Sequence, residues 1–271
     1  MMAWWQALLL GIVQGLTEFL PVSSSGHLMI VRETLGVDAE GFLDFTVAVH
    51  CATVLSTLVV FRSLIAKLLQ GVFRRGWNDE KDYVGKLLVS MIPVLVVGLF
   101  FKDQVEQLFG ESLTLTGAGL LATAVLLLAS DLVPARSGGN ARNGIGWGAA
   151  FVTGIGQAFA VVPGLSRSGT TISAGLLTGV RREVMAGFSF LMVLAPILGE
   201  QALDLMKKAS ATESAAGCSW TALALGFVGA FLTGILACRT MVALVKRARM
   251  KWFALYCAVL GAAVLWWGLR G

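Results

Sequence analysis

The fold of this chain is decided by two stretches of sequence, G-I-V-Q-G-L-T-E-F-L-P-V-S-S-S-G-H (11–27) and G-I-G-Q-A-F-A-V-V-P-G-L-S-R-S-G-T (154–170). Each lies in a longer apolar region, 4–36 or 144–180, about twice as long as one membrane span. Irregular backbone at membrane depth is stable only where protein or a water-filled cavity surrounds it. We therefore predict that each region is a re-entrant helix–loop–helix pair, which enters and leaves the membrane on the same side.

The composition is that of a membrane protein. Of the 271 residues, 56% are apolar and only 14% are charged, and the mean hydropathy is +0.79. A soluble domain carries about 25% charged residues. These values exclude a soluble enzyme, a disordered protein and a nucleic-acid binder, and the net charge of +5 is better explained by basic cytoplasmic loops.

Charge-free runs predict six further membrane spans, which together with the two pairs give an all-α integral membrane protein with a single domain, 1–271. The predicted spans are 45–61, 87–101, 113–130, 184–199, 217–238 and 252–269.

The basic residues predict the orientation. Segments 62–86 and 239–251 are rich in Lys and Arg and should be cytoplasmic. With 4–36 entering from outside, 15 of the 21 Lys and Arg residues are cytoplasmic and five are outside. The remaining one, Arg167, lies within the membrane, and both termini are outside.

The two broken regions also resemble each other. At a fixed offset of 143 they share ten identities over 35 positions (11–45), including the S-x-S-G pattern. An odd number of spans separates the copies, which predicts inverted-topology repeats of about 4–101 and 144–238. Such repeats are typical of transporters, so a transporter or flippase is one hypothesis.

The polar centres of the two regions predict a phosphate site. Arg167 offers a planar fork of donors for phosphate oxygens, and Ser24 or an activated water could attack phosphorus. His27 could act as a general base or acid, whereas Glu18 could orient His27, act as the base itself or hold a divalent cation. The predicted catalytic residues are therefore Glu18, Ser24, His27 and Arg167.

Other polar residues of the same regions are predicted to bind the substrate or its phosphate: Gln14, Ser23, Ser25, Gly26, Gln157, Ser166, Ser168, Gly169 and Thr170. A simpler alternative is a Glu18–Arg167 pair that only locks the two loops together. We interpret His50 as an ordinary interhelical polar residue, Asp131 as the cap of a cytoplasmic span end, and the four cysteines as small buried hydrophobes.

Two motifs resemble a known family. Q-G-L-T-E-F-L-P-V-S-S-S-G-H (14–27) and P-G-L-S-R-S-G-T-T (163–171) are similar to the signature motifs of the bacterial undecaprenyl-diphosphate phosphatases of the bacitracin-resistance type. F-T-V-A-V-H (45–50), M-I-P (91–93) and F-S-F-L (188–191) extend the resemblance along the chain.

The resemblance implies a membrane hydrolase that converts undecaprenyl diphosphate into undecaprenyl phosphate and inorganic phosphate, which recycles the lipid carrier for peptidoglycan synthesis and confers bacitracin resistance. It implies a multi-pass protein of the bacterial inner membrane whose active site is reached from the periplasmic side. The expected cofactor is Mg²⁺ or Ca²⁺, with Glu18 as the metal ligand. The expected partners are the polyprenyl diphosphate substrate, membrane lipids and a second copy of the chain in a homodimer, but no nucleic acid.

Overall fold

The computed structural model describes residues 2–38, 41–101, 104, 113–133, 142–210, 219–247 and 250–270. These residues form α-helices and one turn of 3-10 helix (Arg142–Gly144), and they contain no strand. The helices are α1 (Trp4–Phe19), α2 (Ser24–Thr34), α3 (Phe42–Val60), α4 (Arg62–Val72), α5 (Asp79–Phe100), α6 (Leu113–Leu132), α7 (Trp147–Phe159), α8 (Arg167–Leu177), α9 (Arg182–Ser210), α10 (Trp220–Arg247) and α11 (Lys251–Gly268).

Within this part of the chain, five helices are long and apolar enough to cross a membrane. They are α5, α6, the first part of α9, most of α10, and α11. The sixth predicted span, 45–61, coincides with α3, of which Asp44–Val60 meets the same criteria of length and hydropathy as a pair with α4, across a bend of 73°. The prediction of an all-helical, multi-pass membrane protein is confirmed.

Two predicted loops are partly helical, which is a correction to the sequence analysis. Segment 62–86 contains α4 and the beginning of α5, and segment 239–251 contains the end of α10. In α4 the apolar side is buried at Leu68 and Gly71, whereas Lys67 is 72% exposed. Charged residues can thus continue a helix beyond its apolar part. Outside the described residues lie 39–40, 102–103, 105–112, 134–141, 211–216 and 248–249 of the predicted loops, and 217–218 at the start of the predicted span 217–238.

Each broken region folds into a helical hairpin. In hairpin A (α1, α2 and residues 20–23), the Gln6 side chain donates a hydrogen bond to the Leu35 carbonyl at 3.1 Å, so the beginning of α1 meets the end of α2. In hairpin B (α7, α8 and residues 160–166), Gly156 packs against Ala174. The two helices of each hairpin thus pack against each other, as expected of a re-entrant pair, and re-entry into the membrane stays a prediction.

The two hairpins are built from equivalent parts. Ser23 and Ser166, related by the offset of 143, cap α2 and α8 by accepting hydrogen bonds from the backbone N–H groups of the glycines three positions later, at 3.3 and 3.1 Å. Gly36 and Gly179, also related by the offset, follow the hairpins with φ of 60° and 88°. This left-handed conformation suits glycine, since it has no Cβ. The sequence repeat is thus also a repeat of local structure.

Each hairpin packs against the other half of the chain. A Cβ at Gly11 of α1 would overlap the backbone of Gly226 in α10, and a Cβ at Gly154 of α7 would overlap the backbone of Ser90 in α5. Such close approach of helices in a membrane depends on small residues. The two halves therefore interlock, with α1 on α10 and α7 on α5.

The packed core contains the buried cysteines. Cys238 and Cys257 belong to the same buried cluster as Phe188, and neither is exposed to solvent. Cys51 is half-buried, and Cys218 lies outside the described residues. The interpretation of Cys238 and Cys257 as small core hydrophobes is confirmed.

Candidate functional site

The tips of the two hairpins meet. Ser168 in the first turn of α8 donates a hydrogen bond through Oγ to the Leu20 carbonyl in the tip of hairpin A, at 3.0 Å. Both α2 and α8 begin at these tips. Helix N-termini carry partial positive charge and unpaired N–H groups, so their convergence favours an anion.

Glu18 is the centre of a hydrogen-bonded cluster in hairpin A. It lies in the last turn of α1, and its Oε2 accepts hydrogen bonds from Gln14 Nε2 at 2.8 Å and from Ser24 Oγ at 2.5 Å. The turn between α1 and α2 places Ser24, the first residue of α2, beside the carboxylate. A serine that donates to a carboxylate has a proton acceptor already in place.

His50 is the histidine beside Glu18, which the sequence analysis did not assign to the site. Its Nδ1 donates to the Thr46 carbonyl, one turn earlier in the same helix α3, at 2.9 Å. Its Nε2 lies 3.7 Å from Glu18 Oε2. The stretch 45–50, which supports the family resemblance, ends on this residue and was the signal available in the sequence.

Arg167 faces the same carboxylate across a small cavity. The cavity has a volume of about 40 Å³, and its polar lining comes from Glu18, Thr53, Thr57, Arg167, Ser168 and Ser189. Arg167 interacts electrostatically with Glu18, but among the described residues no carboxylate lies within 4 Å of its guanidinium group. The locked Glu18–Arg167 pair is thus not formed, and the cavity lies between the Glu18 carboxylate and the Arg167 guanidinium group.

Most of the other predicted phosphate-binding residues lie in the first turns of α2 and α8. Ser23, Gly26, Ser166 and Gly169 form the two helix caps, in which Ser23 has an unusual φ of 68°. Ser25 is exposed, and its Oγ lies 3.3 Å from that of Ser23. Their binding of phosphate stays a prediction, since the caps already use the hydroxyl groups of Ser23 and Ser166.

Three buried polar atoms have no hydrogen-bond partner among the described residues: Gln14 Oε1, Gln157 Oε1 and Thr170 Oγ1. Gln14 and Gln157 are equivalent in the repeat. A buried polar atom without a partner is costly, so these atoms are suited to a ligand or to water.

The ring nitrogens of His27 have partners other than Glu18. Its Nδ1 lies 2.7 Å from the Ser23 carbonyl and its Nε2 lies 2.6 Å from the hydroxyl oxygen of Tyr256 in α11. Glu18 therefore does not orient His27, which was one of the three roles that the sequence analysis considered for Glu18. Tyr256, like His50, comes from a helix distant in sequence and was missed for that reason.

Comparisons with known proteins agree with this architecture. A protein-family model described as bacitracin resistance protein BacA matches residues 7–263. An undecaprenyl-diphosphatase of Parabacteroides distasonis is 48% identical over 264 residues, which cover 97% of this chain and 98% of the relative. Undecaprenyl-diphosphatases of Bacteroides fragilis and Christiangramia forsetii are 47% and 45% identical, over 97% and 96% of this chain and 98% and 96% of the relatives.

The family match extends over nearly the whole length of the chain and includes all of hairpin B and hairpin A from residue 7 onward. The chain belongs to the BacA bacitracin-resistance family of multi-pass membrane proteins.

Proposed function

We propose that this chain hydrolyses undecaprenyl diphosphate to undecaprenyl phosphate and inorganic phosphate. Its full-length relatives carry the name of that activity. The observation that carries the proposal is the Ser24 hydroxyl, which donates to the Glu18 carboxylate where the two hairpin tips meet. The product would return to peptidoglycan synthesis as the lipid carrier, and its regeneration would confer bacitracin resistance.

The terminal phosphate binds between the two helix N-termini. Arg167, the first residue of α8, supplies a charged fork on one side of the cavity, and the first turns of α2 and α8 supply partial positive charge. Most of the rate enhancement of phosphoryl transfer comes from such positioning and charge stabilisation. The lining therefore suits the charge that spreads over the transferred phosphoryl group.

Ser24 is the proposed nucleophile. Its Oγ attacks the terminal phosphorus, the bond from that phosphorus to the bridging oxygen breaks, and undecaprenyl phosphate leaves. Glu18 takes the serine proton and passes it to the leaving phosphate. In the second step water attacks the phosphoserine, Glu18 accepts the water proton and returns it to Ser24 Oγ, and inorganic phosphate is released.

His27 is proposed to contact the leaving phosphate. It lies three residues after Ser24 in α2, and residues with this spacing share one face of a helix. A phosphate bound at Ser24 would therefore extend toward the His27 ring.

A divalent cation fits the site only with help from the substrate. Glu18 offers a carboxylate and Gln14 a buried Oε1 without a partner in the described chain, and Mg²⁺ and Ca²⁺ prefer such oxygens. The described residues contain no cluster of three His, Cys, Asp or Glu side chains that could hold a metal. A bound cation would offset the negative charge of the diphosphate, with phosphate oxygens completing its ligands.

The role of the cation can be tested in two ways. Chelation with EDTA should abolish activity, and added Mg²⁺ or Ca²⁺ should restore it. Binding of Ca²⁺ measured by calorimetry with a non-hydrolysable diphosphate should be lost in Glu18→Gln, whereas retained binding would assign the cation to another place.

We propose that the hairpins enter the inner membrane from opposite faces, hairpin A from the periplasmic side. The contacts Gly11–Gly226 and Gly15–Ala230 make α1 parallel to α10, and Gly85–Trp147 and Gly154–Ser90 make α7 parallel to α5. Because spans alternate in direction, α5 and α10 cross in opposite senses when α6 and α9 lie between them. The basic segments 62–86 and 239–251 then face the cytoplasm.

Purified protein in detergent tests the proposed activity. It should release phosphate from undecaprenyl diphosphate without a bilayer, and Arg167→Ala should abolish this release while the protein stays folded. A polyprenyl-phosphate flippase, which the relatives' names do not favour, would release none. Light scattering of the same sample tests the homodimer, which stays a prediction.

A further inference from the structure

Both ring nitrogens of His27 are engaged, and their partners define its tautomer. A carbonyl oxygen can only accept, so Nδ1 must donate its proton to the Ser23 carbonyl, at 2.7 Å. In the neutral ring Nε2 then carries a lone pair and accepts from the Tyr256 hydroxyl, at 2.6 Å. The nitrogen of His27 that carries the lone pair is therefore the one that Tyr256 contacts.

Tyr256 also fixes the plane of the ring. The two rings lie nearly parallel, with an interplanar angle of 10° and centroids 5.7 Å apart. Parallel rings joined by so short a hydrogen bond lie edge to edge in nearly one plane, so rotation of the imidazole would break the bond. The hydrogen bonds to Tyr256 and to the Ser23 carbonyl together specify both the orientation and the tautomer of His27.

The helix that carries Tyr256 is itself held against hairpin A. The next residue, Cys257, donates through Sγ to the Pro21 carbonyl in the hairpin tip, at 3.4 Å. The beginning of α11 is held by Asp131, whose carboxylate accepts from the N–H groups of Met250 and Lys251 at 3.1 and 3.2 Å. The position of Tyr256 is thus set by contacts at two places on α11.

We propose that Tyr256 is a positioning residue, which holds the His27 ring in one orientation and one tautomer before the substrate binds. This inference rests on the proposed function, in which His27 contacts the leaving phosphate. Tyr256 is 47% exposed, so it lies at the rim of the site. A substrate that enters past this rim would meet a histidine already in one orientation and one tautomer.

The test is Tyr256→Phe, which removes the hydroxyl and keeps the ring. A neutral hydrogen bond contributes up to about a tenfold effect, so kcat should fall about five- to tenfold while KM changes by less than about twofold. Tyr83 is the other of the two tyrosines and contacts Phe188 edge-on in the core. Tyr83→Phe is the matched control and should leave kcat unchanged.

Two further measurements separate positioning from a general structural effect. In a His27→Ala background, Tyr256→Phe should cause no additional loss, because the two residues act as a unit. The chain has two histidines, so ¹⁵N-histidine NMR with His50→Gln for assignment can follow the tautomer of His27. The spectrum of Tyr256→Phe should show a mixture of tautomers in place of one.

An unchanged kcat in Tyr256→Phe would overturn the proposal. So would a rise in KM alone, which would mean that Tyr256 binds the lipid, or an equal loss in the His27→Ala background. If the wild-type protein releases no phosphate, the proposed function fails, and the NMR spectra still decide whether Tyr256 fixes the His27 ring.

Discussion

Replacement of Ser24 by alanine distinguishes a serine nucleophile from an activated water, and the structure supplies the magnitudes. Ser24 Oγ donates to Glu18 Oε2 at 2.5 Å. If water attacks, the variant loses this hydrogen bond to a charged group, which contributes about 1.5–3 kcal/mol. That energy corresponds to a fall in kcat of about 10- to 150-fold.

If Ser24 itself attacks, the covalent route is lost, and kcat should fall by about 10⁴ or more. We expect this larger loss. The assay is release of phosphate from undecaprenyl diphosphate by purified protein, combined with acid quenching and recovery of terminal-phosphate label on the protein. Label should appear on the wild type and be absent from Ser24→Ala.

Ser25 provides the matched control. It is exposed, and the hydrogen bond of its side chain is made to Ser23, at 3.3 Å. Ser25→Ala should change kcat less than about threefold, and a larger fall would mean that the predicted binding of phosphate by Ser25 contributes to kcat. A fall of less than about 150-fold in Ser24→Ala, with no labelled protein in the wild type, would refute the serine mechanism in favour of water.

Three other substitutions test the surroundings of the site. Arg167→Lys keeps the charge and loses the planar fork, so kcat/KM should fall about 100-fold; a fall below about threefold would mean that charge alone binds the phosphate. His50→Gln removes the imidazole 3.7 Å from Glu18, and kcat should fall roughly tenfold, whereas an unchanged kcat would return His50 to a purely interhelical role. Gly11→Ala would place a Cβ into the backbone of α10 and should destabilise the protein by about 1–3 kcal/mol, measured as a lower melting temperature in detergent. Gly98→Ala, where a Cβ meets nothing within 4 Å, is its control, and equal melting temperatures would contradict the close packing.

The sequence predicts the membrane-spanning helices well, because each of them is determined by the hydropathy of its own consecutive residues. A charge-free run such as 113–130 has one stable solution in a membrane, a helix, and α6 (Leu113–Leu132) follows it closely. The polar, Gly- and Pro-interrupted centres of 4–36 and 144–180 likewise allow few alternatives to a hairpin.

Helix ends are less predictable, because hydropathy records where the lipid ends and not where the helix ends. α9 continues to Ser210, beyond the predicted span end at 199, and α10 continues to Arg247. Lys and Arg are good helix formers, so the backbone hydrogen bonds of the helix continue beyond the apolar run.

The site is predicted only where its residues are local in sequence. Glu18 and Ser24 are six residues apart and were recognised together. His50 and Tyr256 reach the same region from α3 and α11, and no periodicity relates such positions. Contacts of this kind depend on helix packing, so they become visible only in three dimensions.

The interlocked packing has a consequence for the biosynthesis of the protein. α1 packs on α10 at Gly11 and Gly226. Hairpin A therefore cannot make this contact until α10, more than 200 residues later in the chain, has been synthesised. At a synthesis rate of about 5–20 residues per second, the first hairpin spends roughly 10–40 s in the membrane without its partner. The polar cluster around Glu18 is then part of an unfinished protein, and Tyr256 joins the candidate site only when α11 has inserted. A ribosome that stalls before α10 would leave a fragment without this packing, which should not hydrolyse undecaprenyl diphosphate.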